Sequence, residues 1–171
     1  LLFGSVIMEL YISLREKIIQ QGLPGKGLFK CRVEYESDIN KIEFLSYQFP
    51  KVSTLKLVHD DHIVYDHKWV DRPGLDRLFL QKGTASEIII IKGGKVTDGY
   101  YYNIVFEKSG TLFTSDTPLL AGTQRSSLLK KGIIKEKEIK ETDIFLFEKI
   151  HLIKAMTLHG KLVIYIKKCL I

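Results

Sequence analysis

The sequence contains very little cysteine, methionine or tryptophan: 171 residues include two cysteines, two methionines and one tryptophan. Cys31 and Cys169 stand far apart and form no C-x-x-C pair. They therefore predict neither a disulfide framework nor a zinc site, and they suit a reducing cytoplasm. Apolar runs long enough to span a membrane are also absent. We expect a cytoplasmic protein with no membrane partner.

A strong excess of one charge is absent as well. The chain carries 26 basic and 20 acidic side chains, which gives a net charge of +6. The densest group of lysines, from Lys130 to Lys140, also contains Glu136 and Glu138. Mixed charges of this kind are typical of a solvated face, so we expect no nucleic-acid partner.

A secretory leader is not indicated. The first ten residues are mostly apolar, but Glu9 interrupts them, and neither a basic leader nor a small-residue cleavage site accompanies them. The first residue is leucine rather than methionine. We therefore expect the natural chain to extend further upstream.

The hydrophobic pattern predicts an α+β protein with a mixed or barrel-like sheet. Helical spacing covers Val6 to Ile19, while most later apolar runs have strand length. Pro50 and Ser53 mark a linker, so we expect the remnant of a small α/β domain in residues 1–50 and a larger domain in residues 51–171. The expected strands are Leu28–Tyr35, Lys41–Tyr47, Glu87–Lys92, Lys95–Asp98, Asn103–Phe106, Thr111–Thr114, Ile133–Ile139, Ile150–Ile153 and Leu162–Ile166.

Two short segments, thirty residues apart, carry the most informative chemistry. Lys68 lies in Lys68-Trp69-Val70-Asp71-Arg72, and Asp98 ends the apolar segment Val96-Thr97-Asp98. A lysine and a carboxylate facing one pocket are what pyridoxal phosphate (PLP) chemistry needs, because the lysine holds the aldehyde and the carboxylate keeps the ring nitrogen protonated. Each residue alone also fits an ordinary role, as a solvated lysine or a turn aspartate.

A third candidate element is Gly122-Thr123-Gln124 at the start of an expected helix. The first amides of a helix are unpaired donors, and together with the helix dipole they favour a phosphate. Thr123 would add a hydroxyl group. Taken alone, the segment fits an ordinary helix start with Thr123 as the cap equally well.

A different interpretation concerns the dense polar segment from His59 to His67. Imidazoles and carboxylates of this kind can bind a divalent metal. We expect the segment to run as an extended strand, in which His59 and His62 face opposite sides, and its spacing matches no known ligand pattern. We therefore expect no metal site.

Together these segments resemble the class IV aminotransferase family, the fold-type IV PLP enzymes. The lysine segment is similar to the family's lysine motif. Val96-Thr97-Asp98-Gly99 with Asn103-Ile104-Val105-Phe106 resembles its acidic segment, and residues 117–125, TPLLAGTQR, resemble its phosphate segment. A weaker match covers Ile150 to Met156. The resemblance extends from about Phe29 to Met156 and follows the family's order.

The resemblance implies a role for each matching residue. Lys68 would hold PLP as a Schiff base and then move the substrate proton, and Asp98 would pair with the ring nitrogen. Gly122, Thr123 and Gln124 would hold the phosphate, and Asn103 belongs to the same cofactor-binding set. The sequence has Asp98 where the family usually has Glu, and the family's N-terminal phosphate-binding arginine has no counterpart.

The resemblance is strongest to the small 4-amino-4-deoxychorismate lyase branch of the family. It implies the conversion of aminodeoxychorismate to 4-aminobenzoate and pyruvate by a homodimer that acts on a small amino substrate. Transamination of branched-chain or D-amino acids is the alternative, since the same lysine serves both reactions. A further alternative is a non-catalytic family member that acts as a binding protein.

Overall fold

The computed structural model describes residues 14–157 and 159–168. The chain divides into two compact units, Leu1–Phe49 and Pro50–Ile171. Residues 14–20 are helical (α1), within the helix expected from Val6 to Ile19, whose earlier part lies outside the described residues, as does Cys169. No helix of the described segments has the length and apolar character needed to cross a bilayer.

In the first unit, strands β1 (Phe29–Tyr35) and β2 (Ile39–Ser46) form an antiparallel hairpin. The connection between them is shorter than the gap between the expected strands Leu28–Tyr35 and Lys41–Tyr47, because β2 already begins at Ile39. The register has an irregularity between Glu34 and Tyr35. Cys31 is exposed in β1 as a free thiol.

The second unit begins with a three-stranded sheet. Strand β3 (Leu55–His59) is followed by helix α2 (Pro73–Leu80) and by strand β4 (Glu87–Lys92), which pairs parallel to β3. Strand β5 (Lys95–Val96) then pairs antiparallel to β4. Gly93 and Gly94 both adopt positive φ, as the tight turn between these two strands requires.

A five-stranded sheet follows, in the order β10-β9-β6-β7-β8. Helix α3 (Thr123–Lys130) connects β7 to β8, which pair in parallel; the other pairings are antiparallel. The strands are β6 (Asn103–Lys108), β7 (Thr111–Ser115), β8 (Lys135–Lys137), β9 (Lys149–Ile153) and β10 (Val163–Tyr165).

Side chains that alternate between the two faces of the strands pack the sheets and helices of the second unit into layers. On β4, Ile89 and Ile91 pack with Ile104 and Phe106 of β6 between the two sheets, whereas Ile88 and Ile90 face Leu75 and Leu78 of α2. Val105 and Ile153 face Leu128 of α3 on the opposite side. Burial of each such side chain stabilises the fold by about 1.5–3 kcal/mol. The observed architecture confirms the α+β class, and the described strands of the second unit form two separate sheets rather than a closed barrel.

The sequence-based prediction was wrong at one place that affects the site. Strand β3 was not expected, and the segment from His59 to His67 was expected to be extended. The strand ends at His59, and a turn follows at residues 61–62. The carboxylate of Asp60 accepts a hydrogen bond of 2.8 Å from the His62 amide, a local contact that favours a turn over a strand.

Candidate functional site

Asp98 lies just beyond β5, where the chain turns towards β6. It pairs with Asn103 through an isolated antiparallel bridge, and the Asp98 carbonyl accepts a hydrogen bond of 2.8 Å from the Ile90 amide. These contacts bring the start of β6 back beside the end of β5. As a result the Asp98 side chain is only 6% exposed.

Both carboxylate oxygens of Asp98 accept hydrogen bonds. The Asn103 amide nitrogen Nδ2 donates to Oδ1 at 2.8 Å, and the Leu120 backbone amide donates to Oδ2 at 3.0 Å. Asn103 Nδ2 also donates to the Leu120 carbonyl at 2.8 Å. The carboxylate is therefore fixed against the loop that leads into α3.

Burial raises the pKa of Asp98 to about 6, because the ionised form loses its water. The hydrogen bonds from Leu120 and Asn103 and the positive charge of Arg125 oppose this effect in part. Asp98 is thus a buried acid that is mostly ionised at neutral pH. A carboxylate of this kind can stabilise a neighbouring cationic ring nitrogen.

Gly122 is the N-cap of helix α3, with extended backbone angles and no side chain to cap the helix. No acidic residue lies in its first turn. A Cβ atom at Gly122 would lie 2.1 Å from the Asn103 Oδ1 atom, so the close approach of these two residues requires glycine. The first-turn amides, with Thr123 and Gln124, are therefore the groups at this end of α3 that could hold an anion.

Lys68 lies in an irregular segment before α2, and every side chain from Asp66 to Asp71 is exposed. The end of this segment is attached to the loop beyond Asp98. Arg72 donates a hydrogen bond of 3.0 Å to the Tyr100 hydroxyl, and its guanidinium carbon lies 4.6 Å from the centre of the Tyr100 ring.

The three consecutive tyrosines have different environments. Tyr100 stacks on Phe79 of α2 at 4.2 Å between ring centres, and Tyr102 is buried in the core between the sheets. Tyr101 is half exposed, beside Tyr100 and Arg72. Tyr100 and Tyr102 therefore have a packing role.

Two parts of this region were not found from the sequence. No local sequence signal indicates the hydrogen bond from the Leu120 backbone amide to Asp98, because any backbone amide can serve as the donor. Glu87 is 2% exposed at the start of β4, and its Oε1 atom accepts hydrogen bonds from the Ile88 and Tyr100 amides at 2.8 and 3.2 Å. Burial raises the pKa of Glu87. An apolar strand run gives no hint that its first residue is a buried acid.

The polar segment considered for metal binding makes contacts within the protein instead. Asp60 pairs with Arg77 at 2.6 Å, the Asp61 carboxylate accepts the Gly93 amide at 2.7 Å, and His59 lies 2.9 Å from Glu141. Within residues 14–157 and 159–168, no group of three or more His, Cys, Asp or Glu residues is arranged to hold a metal ion.

Comparison with known proteins adds sequence relatives and solved structures. No family model matches the chain. An uncharacterized protein from Haemophilus influenzae strain Rd is 42% identical over 129 residues, which cover 75% of this chain and 69% of that protein.

The crystal structure of a protein from Haemophilus somnus 129PT, named a putative 4-amino-4-deoxychorismate lyase, is 34% identical to this chain. It superposes with a TM-score of 0.78 over 91% of this chain and 86% of that protein. A putative amino-acid aminotransferase from Mesorhizobium loti is 20% identical, with a TM-score of 0.76 over 100% of this chain and 92% of that protein. The latter similarity concerns the fold alone.

Proposed function

This chain belongs to the class IV aminotransferase family, the fold-type IV PLP enzymes, and on that basis we propose that it is a 4-amino-4-deoxychorismate lyase. The reaction would convert aminodeoxychorismate to 4-aminobenzoate and pyruvate. The main support is the 34% identity to the Haemophilus somnus protein of that name over most of both chains. The locked Asp98 carboxylate beside the uncapped start of α3 supports a cofactor site at this place.

The residues present fit PLP. Asp98 is buried and accepts N–H donors from Asn103 and Leu120, and it would also accept one from a protonated ring nitrogen. The phosphate would bind at Thr123 and Gln124, where Gly122 leaves the helix start without a capping side chain. Lys68 is exposed and would supply the amine that holds the aldehyde.

When bound, PLP supplies an electron-accepting ring that acidifies the carbon–hydrogen bond beside the substrate amine. Lys68 Nζ, released from the aldehyde, would accept that proton. Loss of this proton lets the substrate ring become aromatic as the pyruvate group leaves. Asp98 would remain ionised at neutral pH and hold the proton on the ring nitrogen. Transamination needs the same two residues, with Lys68 returning the proton at a different carbon.

The arrangement of the whole protein is part of the proposal. We assign residues 1–50 to a small N-terminal domain and residues 51–171 to the cofactor-binding domain. The active form would be a homodimer. Several large apolar side chains near Lys68 are exposed, namely Val64, Trp69 and Val70, which is consistent with an interface there. Light scattering of the purified protein measures the dimer directly.

The test begins with binding. After PLP is added and the protein is dialysed, we expect a cofactor absorption band in the wild type and in Lys135→Ala, a control at an exposed lysine of β8. Lys68→Ala should lose the band. An intact protein with no band would contradict the proposal. A band without catalysis would identify a family member that only binds the cofactor.

The reaction is tested with the loaded protein and aminodeoxychorismate, in the absence of any 2-oxo acid. Pyruvate release, followed by a coupled lactate dehydrogenase assay, is the expected result. If pyruvate does not form but amino transfer to an added 2-oxo acid occurs, the enzyme is a transaminase and the lyase proposal is wrong.

A further inference from the structure

The side-chain amide of Asn103 uses both of its hydrogens inside the protein. Nδ2 donates to Asp98 Oδ1 and to the Leu120 carbonyl, each at 2.8 Å. An amide nitrogen carries two hydrogens, so this nitrogen has none left for a ligand. Through this nitrogen, Asn103 therefore acts on other protein groups rather than on a bound molecule.

The oxygen of the same amide lies against the start of α3. Oδ1 lies so close to Gly122 that a Cβ atom there would be only 2.1 Å away. Gly122 is the N-cap of α3. The Asn103 side chain thus contacts the buried acid through one atom and the helix start through the other.

Leu120 closes this set of contacts into a ring. Its carbonyl accepts from Asn103, while its amide donates to the second oxygen of Asp98 at 3.0 Å. Aspartate at position 103 would offer no donor, leucine would offer no polar atom, and glutamine would place the amide one methylene further out. Asparagine is the side chain that satisfies both acceptors at this distance.

We infer that Asn103 is a positioning residue that fixes residues 119–122 to Asp98, so that the acid and the start of α3 are held in one arrangement. The inference rests on the proposed function only for the roles of the two groups that Asn103 holds together. Asp98 would serve the ring nitrogen, and Thr123 and Gln124 would serve the phosphate. A change at Asn103 therefore affects phosphate binding without touching the phosphate.

The experiment uses Asn103→Ala in the cofactor-free protein, with inorganic phosphate as the probe. The variant loses the hydrogen bonds from Nδ2 to Asp98 and to the Leu120 carbonyl, and this loss should weaken phosphate binding roughly tenfold. The pKa of Asp98, followed by carbon-13 NMR of its carboxyl group, should rise, because an N–H donor to the carboxylate is removed.

Thr114→Val is the matched control. Thr114 is buried, and its hydroxyl donates a hydrogen bond of 2.8 Å to the Ile104 carbonyl between neighbouring strands. The control should lower stability but leave phosphate affinity and the pKa of Asp98 unchanged. Equal effects of the two variants would reduce Asn103 to an ordinary structural residue and overturn the inference.

Two further outcomes are distinguishable. If the wild type binds neither phosphate nor PLP, the proposed function fails, and the NMR titration still decides the inference: an unchanged pKa of Asp98 in Asn103→Ala overturns it. If that variant does not fold, the wild type supplies the test. In the wild type, the NMR signals of the Asn103 side-chain amide and the Leu120 backbone amide should change with pH, with a midpoint at the pKa of Asp98. If the signal of the Asn103 amide does not change with pH, the coupling is refuted.

Discussion

The guanidinium group of Arg72 donates a hydrogen bond of 3.0 Å to the hydroxyl of Tyr100 and lies over its ring. Arg72 follows Lys68 by four residues, and Tyr100 follows Asp98 by two. This contact therefore ties the exposed lysine segment to the loop that carries the buried acid. The two segments that it joins carry the two residues proposed for the chemistry.

Arg72→Leu is expected to lower turnover of the loaded enzyme roughly tenfold, with a smaller effect on the melting temperature. The variant loses the stacking and the hydrogen bond, which together stabilise the contact by about 1–2 kcal/mol. Lys68 would then be less well placed. Steady-state kinetics separate kcat from KM, and Arg72→Lys should recover little, since lysine lacks the planar fork.

Arg77→Leu serves as the comparison for this prediction. Arg77 lies on α2 and pairs with Asp60 at 2.6 Å, so its loss also removes a guanidinium contact near the same segment. Turnover should stay close to the wild-type value. Similar losses in both variants would show that Arg72 acts through general stability rather than through the position of Lys68.

Asp98 should give the cofactor-free protein a distinctive pH dependence. Its pKa is about 6 in the folded protein, against an ordinary value of 3.8 for an aspartate in water, so the folded state holds the proton more tightly than the unfolded chain. The contribution of Asp98 to stability is therefore fully present below about pH 4 and is lost as pH rises towards about 6. Because one pKa unit corresponds to about 1.4 kcal/mol, the free energy of unfolding falls by about 3 kcal/mol over this range.

Urea unfolding of the wild type and of Asp98→Asn measures this effect. The difference between their free energies of unfolding should change by about 3 kcal/mol between about pH 3 and pH 7, with the wild type losing relative stability as pH rises. A constant difference over this range would show that the pKa of Asp98 is not raised in the folded state. Cofactor affinity should have the opposite trend and improve as Asp98 ionises.

Gly122→Ala is expected to destabilise the protein and to weaken phosphate binding together. The new Cβ would overlap the Asn103 Oδ1 atom, so the amide or the loop must move, at a cost of about 1–3 kcal/mol. Movement of the amide would disturb its bonds to Asp98 and Leu120. Thermal unfolding and phosphate titration measure the two effects.

The control is Gly25→Ala, where a Cβ atom would meet nothing within 4 Å and the backbone angle is ordinary. This substitution should leave both stability and phosphate affinity nearly unchanged. Normal phosphate binding in a destabilised Gly122→Ala protein would indicate that the close contact matters for folding alone.

Sequence patterns predicted the parts of the fold that depend on local physics. The expected strand Glu87–Lys92 is observed as β4, and the expected strand Lys95–Asp98 is observed in part as β5 (Lys95–Val96), after a tight turn at Gly93 and Gly94. The α+β class was also correct. Strand β3 was missed, because it is short and is stabilised by its parallel pairing with β4, a partner about thirty residues away. The turn at Asp60 was missed for the related reason that a side-chain contact ended the strand.

The candidate site divides in the same way. The order of Lys68, Asp98 and Gly122-Thr123-Gln124 along the chain was enough to predict the family, since residue types and spacing are properties of the sequence. Burial of Asp98 depends on how β5, β6 and the loop before α3 come together, and this burial sets its pKa. Likewise, the sequence indicates a helix start at Gly122, but the contact of this glycine with Asn103 exists only in the fold. The sequence by itself determined which chemical groups are present. The tertiary structure alone decided which of them share hydrogen bonds, because those bonds join residues that are distant along the chain.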